Sequence, residues 1–214
     1  MDLTGVIDHT ILLPDCTSED VEALCDEAHK YKFKAVCIPP YFVREVARKL
    51  QDSPVKVATV IGFPMGYSCT PAKVEEVKRA IEEGADEVDV VINICAVKNS
   101  NWSYVKNDIE SMTMATHSKG KIIKIILEAN LLNEEELHQL CEICNQAGVN
   151  FVKTSTGTNG GASVEMVSIL REKLKEGIKI KASGGIRNRE QAEALIEVGA
   201  ARIGTSAGPE IVNS

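Results

Sequence analysis

Three charged residues interrupt apolar runs of the chain. Asp89 sits in Val88-Asp89-Val90-Val91-Ile92-Asn93, Lys153 in Phe151-Val152-Lys153-Thr154, and Lys181 in Ile178-Lys179-Ile180-Lys181-Ala182. Short apolar runs bounded by turn residues read as buried strands. A charge inside one is costly unless it has a partner or a function. A lone strand lysine is ordinarily an exposed edge residue, but two at the same depth of successive buried strands argue otherwise. Two ammonium groups about 6 Å apart repel by roughly 3 kcal/mol at an effective dielectric of about 20. That is enough to lower one lysine pKa by about 2, and desolvation acts in the same direction. A lysine so tuned is partly neutral, can attack a carbonyl and forms an imine. Asp89 can then shuttle protons as the carbinolamine forms and dehydrates. Lys179 shares the strand parity of Lys181, but Lys181 lies nearer the strand tip and leads directly into a glycine loop.

Three segments suit an anion. They are Thr154-Ser155-Thr156-Gly157-Thr158-Asn159-Gly160-Gly161, Ser183-Gly184-Gly185-Ile186-Arg187 and Gly204-Thr205-Ser206-Ala207-Gly208. Glycines let backbone N–H groups close on an anion, and hydroxyls and helix N-termini supplement them. One such loop is no more than a tight turn. Three in succession, two of them following the lysine strands, predict a phosphate-bearing substrate. Imine chemistry on a small sugar phosphate unites the lysines with the loops. No Walker or GxGxxG sequence is present.

The elements that must position these residues alternate along the chain. Strands are predicted at 5–9, 33–38, 55–61, 86–92, 121–127, 150–154, 178–182 and 201–204. Helices are predicted at 18–31, 40–50, 71–83, 102–118, 133–146, 162–175, 188–198 and 208–213. Eight strand–helix units predict an α/β fold, a (β/α)8 TIM barrel formed as a single domain over 1–214, with a doubly wound open sheet as the alternative. In a barrel the charged strand tips and the three loops share the carboxyl end, where barrel active sites lie. Thr17 and Asn133 read as helix caps before acidic first turns, Thr70-Pro71 as a cap followed by proline, and Gly84, Gly148 and Gly199 as helix stops.

The 214 residues carry a net charge of −7, which argues against nucleic acid as the main partner. Hydrophobic residues make up 44% and aromatics only 4%, so the core must be aliphatic. No run reaches the roughly 18 apolar residues of a membrane span, and the start of the chain lacks a signal-peptide pattern. The seven cysteines are odd in number and show no framework, which predicts reduced thiols and a cytoplasmic protein. Cys141 and Cys144 form a CxxC within a helix with no second pair, so they read as packed thiols. His9, His29, His117 and His138 do not cluster and have no zinc spacing; surface or packing roles are expected for them.

Several motifs together are similar to the deoxyribose-phosphate aldolase family. They are Ile7-Asp8-His9-Thr10, Val60-Ile61-Gly62-Phe63-Pro64, Glu87-Val88-Asp89-Val90-Val91-Ile92-Asn93, Phe151-Val152-Lys153-Thr154-Ser155-Thr156-Gly157, Lys181-Ala182-Ser183-Gly184-Gly185-Ile186-Arg187 and Gly204-Thr205-Ser206. The resemblance implies reversible cleavage of 2-deoxy-D-ribose 5-phosphate to acetaldehyde and D-glyceraldehyde 3-phosphate. It implies that Lys153 is the Schiff-base lysine, Lys181 the lysine that lowers its pKa, and Asp89 the proton-transfer acid. Gly157, Gly184, Gly185, Gly204, Thr205 and Ser206 fall on phosphate-loop positions, and Asp8 and Thr10 on a first-strand motif that borders the substrate. No metal or cofactor is implied, because the protonated imine is the electron sink. A homodimer or larger homo-oligomer is implied, with no nucleic-acid or membrane partner.

The chain departs from the family pattern in places. Cys95 replaces a usual glycine, Gly66-Tyr67-Ser68-Cys69 is a bulkier loop, and no tail ending in Tyr follows Ser214, so a tail-assisted proton step is not expected. Cys37 matches a thiol found near the site in some members but is expected to pack within its strand. Asp8 could instead cap the first turn after its strand. Another Schiff-base aldolase or transaldolase, or a barrel that binds phosphate without turnover, remain alternatives. The retained set of Asp89, Lys153 and Lys181 speaks against the last.

Overall fold

The computed structural model describes residues 1–214. Its strands are β1 (Ile7–Thr10), β2 (Ala35–Ile38), β3 (Lys56–Ile61), β4 (Glu87–Val91), β5 (Ile122–Ile126), β6 (Phe151–Lys153), β7 (Lys179–Ser183) and β8 (Ala200–Thr205). All neighbours pair in parallel, and β1 joins β8 with Ile7 opposite Ile203. The sheet is therefore a closed eight-stranded barrel, which removes the open-sheet alternative. The helices are α1 (Ser18–Tyr31), α2 (Val43–Lys49), α3 (Thr70–Glu82), α4 (Ile94–Lys98), α5 (Trp102–His117), α6 (Glu134–Ala147), α7 (Val164–Lys173), α8 (Arg189–Glu197) and α9 (Gly208–Asn213). None is long and apolar enough to cross a membrane.

Local chemistry explains the helix ends. Thr17 and Asn133 are N-caps with reciprocal capping boxes to Asp20 and Glu136. Gly148 ends α6 at φ 66°, a left-handed position that costs a residue with a Cβ roughly 1–2 kcal/mol. Two expectations are corrected. The N-cap of α3 is Cys69, not Thr70, whose hydroxyl is drawn inward to Asp108 at 2.8 Å. The short helix α4 was not expected after β4; Asn93 caps it by accepting from the Ala96 N–H.

Two apolar clusters hold the barrel. The larger lies between strands and helices and takes the outward strand positions, such as Ile7, Val36, Val88, Ile123, Val152, Ile180 and Ile203. The smaller lies inside the barrel and contains only Ala35, Cys37, Ala58 and Val60, from β2 and β3. Beside Val91, Ile126 and Phe151, the rest of the interior carries charge: Asp8 from β1, Glu87 and Asp89 from β4, Lys124 from β5, Lys153 from β6, Lys181 from β7 and Arg202 from β8. Aliphatic packing outside the strands, at about 25 cal/mol per Å² of apolar area, thus supports an interior that contributes little hydrophobic stabilisation of its own.

Candidate active site

Strand register sets the depth of each interior charge. Lys153 pairs with Lys181 across β6 and β7, and Asp89 pairs with Lys124 across β4 and β5. Asp89 Oδ2 accepts from Lys153 Nζ at 2.9 Å and from Lys181 Nζ at 2.8 Å. The two nitrogens therefore lie at most the sum of those bonds, 5.7 Å, apart. The two cations are therefore not a bare pair: one carboxylate stands between them and is shared.

The network extends below this trio. Lys124 Nζ reaches Asp89 Oδ1 at 2.7 Å and Glu87 Oε2 at 2.6 Å. Lys181 Nζ lies 2.6 Å from Asp8 Oδ2, an ion pair rather than a directed hydrogen bond. Arg202 pairs with Asp8 and, at 3.0 Å, with Glu87. Four cationic side chains thus face three carboxylates, all almost wholly buried. Burial would push the Asp89 carboxyl up, yet the Lys124, Lys153 and Lys181 ammonium groups outweigh it and hold it well below the usual range. Asp8 is likewise lowered to about 2: burial opposes, and Lys181, Arg202 and Lys124 prevail. Burial would also discharge Lys181, but Asp8 and Asp89 overcome it and raise its pKa, so Lys181 stays charged. Cys37, within the inner apolar cluster, also points its thiol at Asp89 Oδ2 at 4.0 Å, and burial raises its pKa.

Of this network, Lys153 also lines a cleft of about 650 Å³ at the carboxyl end of the barrel. That volume suits a small phosphorylated metabolite. Thr10, Gly157, Gly184, Gly185, Gly204, Thr205 and Ser206 line the same cleft. Asp8, Asp89 and Lys181 do not; they lie beneath its floor. Asp8 therefore neither borders the cleft nor caps a turn; it anchors Lys181 and Arg202. The backbone N–H groups of Gly184, Gly185 and Ser206 make no hydrogen bond within the protein. Gly184 and Gly185 turn at φ 92° and 74° to present them. The Arg187 side chain lines this wall as well.

Other loop residues act differently from a simple phosphate contact. The Thr205 hydroxyl donates to Ile186 O at 2.6 Å and accepts from the Ala207 N–H at 2.9 Å, so it ties two loops together. A Cβ at Gly204 would come within 3.0 Å of Lys181 Cε and 2.9 Å of Ser183 Cβ, so this glycine makes room for the lysine stem. The Thr10 hydroxyl donates to Asp8 O at 2.8 Å. Gly157 N donates to Ser155 Oγ at 2.9 Å.

Sequence reasoning missed Lys124, Glu87, Arg202 and Glu128. The first three carried a readable signal. Lys124 interrupts Ile122-Ile123-Lys124-Ile125-Ile126 just as Lys153 interrupts its own run. Lys179 is exposed, with its ammonium 5.9 Å from the Phe151 ring. His9 packs edge-on against Phe33 and donates to Glu27 at 2.7 Å. The Cys141 and Cys144 thiols are buried on α6 and pushed up by burial, Cys141 to about 12.

Comparison with known proteins bears on this geometry. The chain is 50% identical to the deoxyribose-phosphate aldolase of Thermococcus gammatolerans, covering 99% of this chain and 96% of that protein. It is 48% identical to the deoxyribose-phosphate aldolase of Finegoldia magna, covering 99% of each. The tetrameric deoxyribose phosphate aldolase of Aeropyrum pernix superposes with a TM-score of 0.92 at 33% identity, over 99% of this chain and 89% of that one. The family model described as DeoC/LacD family aldolase matches residues 4–213. A closed barrel, a buried lysine pair sharing one carboxylate and a match over nearly every residue lead to one assignment: the chain belongs to the DeoC/LacD family of aldolases.

Proposed function

We propose that residues 1–214 work as one barrel domain that cleaves 2-deoxy-D-ribose 5-phosphate reversibly to acetaldehyde and D-glyceraldehyde 3-phosphate. The observation that carries this reading is that Lys153 alone in the charged interior opens into the cleft, which the free N–H groups of Gly184, Gly185 and Ser206 also line. The phosphate sits at those N–H groups, with Arg187 beside it, and delivers the aldehyde carbon to Lys153 Nζ. The neutral amine adds to that carbon, water leaves, and a protonated imine forms. The C3 hydroxyl then loses its proton and the C2–C3 bond breaks. Its electron pair enters the imine to give an enamine, and C3 departs as the aldehyde of glyceraldehyde 3-phosphate. The enamine carbon takes a proton, and water releases acetaldehyde and restores the amine.

Asp89 and Lys181 serve as the proton route. A carboxylate held ionised by three ammonium groups is a poor resting acid. It acts instead as the shared acceptor through which Lys153 and Lys181 exchange protons. The protonated imine is the electron sink, so the step needs neither metal nor organic cofactor. Seven unpaired cysteines fit a reducing cytoplasm, and the tetramer formed by the Aeropyrum relative supports self-association of this chain. The test is a cleavage assay on deoxyribose 5-phosphate together with borohydride trapping of acetaldehyde. Wild type should cleave the sugar and carry a two-carbon adduct on Lys153, and Lys153→Ala should do neither. A folded wild type that leaves Lys153 unlabelled would reject the reading.

A further inference from the structure

Six of the seven interior charges close into a ring. Arg202 Nε donates to Asp8 Oδ1 at 2.6 Å, and Asp8 Oδ2 lies 2.6 Å from Lys181 Nζ. Lys181 donates to Asp89 at 2.8 Å, and Asp89 accepts from Lys124 at 2.7 Å. Lys124 lies 2.6 Å from Glu87, and Glu87 accepts from Arg202 at 3.0 Å, which returns to the start. Signs alternate around the ring, so each cation stands between two anions and each anion between two cations. Three positive and three negative groups cancel. Lys153 stands outside the ring and joins it only through Asp89.

A neutral Lys153 thus leaves this interior uncharged, whereas an ammonium there leaves one positive charge unbalanced, which is costly when buried. Every unit of charge taken from the ring or added to it changes the field in which Lys153 takes up a proton. Arg202 pairs only with Asp8 and Glu87, Glu87 only with Arg202 and Lys124, and neither lines the cleft. The other ionisable groups stand apart from the ring. β2 contributes the Cys37 thiol, whose pKa burial raises, and β3 contributes Ala58 and Val60. Lys56 and Lys179 lie exposed at the starts of β3 and β7. Glu128, after β5, accepts from Ser155 and Thr156 rather than from a cation. Along the cleft, Arg187, Asp20 and the His9–Glu27 pair make no ion pair with a ring member.

We propose that Arg202 and Glu87 are positioning residues that fix the net charge of this ring and so set the pH at which Lys153 becomes reactive, without touching the cleft. The inference rests on the aldolase reading and assigns the tuning of its amine to the whole ring rather than to Lys181 alone. Two substitutions of opposite sign test it. Arg202→Met leaves the ring one negative charge in excess, which holds a proton on Lys153. Glu87→Gln leaves one positive charge in excess, which repels it.

The readout is the acid limb of kcat/KM for cleavage of deoxyribose 5-phosphate, since the substrate phosphate titrates alike for every variant. The limb should move alkaline by about one pH unit in Arg202→Met and acid by about as much in Glu87→Gln, the effect of a unit charge roughly 10 Å away at an effective dielectric of about 20. Arg202→Met combined with Glu87→Gln restores neutrality and should return the limb to within about 0.3 unit of wild type. A pair that only holds the fold together would lower activity, most in the double variant, without moving the limb in opposite directions. Limbs that stay in place, move the same way or fail to return in the double variant would overturn the proposal. Should Arg202→Met fail to fold, Glu87→Gln, which keeps its shape, should still move the limb acid, and Arg202→Lys, which keeps the charge, should leave it in place. An unmoved limb in the first or a shifted one in the second would equally overturn the proposal. Failure of the aldolase reading is separate, since a folded wild type would then cleave nothing and give no profile.

Discussion

Asp89 accepts from three lysines and is the point at which single substitutions act on one another. Lys181 answers both Asp8 and Asp89, so Lys181→Met leaves the surroundings of Lys153 more negative. Cleavage should fall by at least about 100-fold, and the acid limb of the pH–rate profile should move alkaline. A profile of unchanged shape would show that Lys181 does not tune the nucleophile. The carboxylates also predict acid sensitivity. Asp8 ionises at about 2 in the folded protein against an ordinary 3.8, and Asp89 is also held low. Their stabilisation is fully present above about 4 and is lost as pH falls through the folded values. Urea midpoints should thus decline steeply from pH 4 toward 2, and Asp8→Asn should flatten that decline while costing about 3–5 kcal/mol at neutral pH. Asp89, Lys153 and Lys181 were legible in the sequence because each breaks an apolar run near a strand tip. Glu128 was not, because its position depends on a left-handed backbone and on partners 27 and 28 residues away in sequence.

Elements are locked by contacts that no single segment announces. Lys73 of α3 is buried, pairs with Asp108 of α5 at 2.5 Å and donates to Val91 O, at the tip of β4, at 3.0 Å. Asp108→Ala strands that ammonium group and should destabilise by about 3–5 kcal/mol in denaturant melts, whereas Lys73→Met with Asp108→Leu should recover most of the loss. A double variant no more stable than the single would refute the ion-pair account. On β8, Gly204→Ala crowds the Lys181 stem. It should cost about 1–3 kcal/mol and lower turnover, whereas Gly148→Ala at the end of α6, remote from the cleft, should cost stability alone. The alternation of elements was readable from hydrophobic period and caps, with ends shifted by one to three residues; Thr4–Val6, for instance, forms a 3-10 turn rather than the start of β1. The role of Gly204 was not readable, because the stem it accommodates lies on the neighbouring strand.

At the scale of the molecule, the interior sets a small aliphatic cluster on β2 and β3 beside charged groups contributed by the six other strands. The acidic surface implied by the net charge of −7 surrounds a cleft whose floor has one more cation than anions. For Lys153 as the proposed nucleophile, that charge balance is kept through imine formation. An ammonium and the iminium that replaces it carry the same unit charge on the same nitrogen, so Asp89 can face either. The polar scaffold needed for the intermediate is therefore already assembled before any substrate arrives, and little dipole rearrangement is left for the reaction itself to drive.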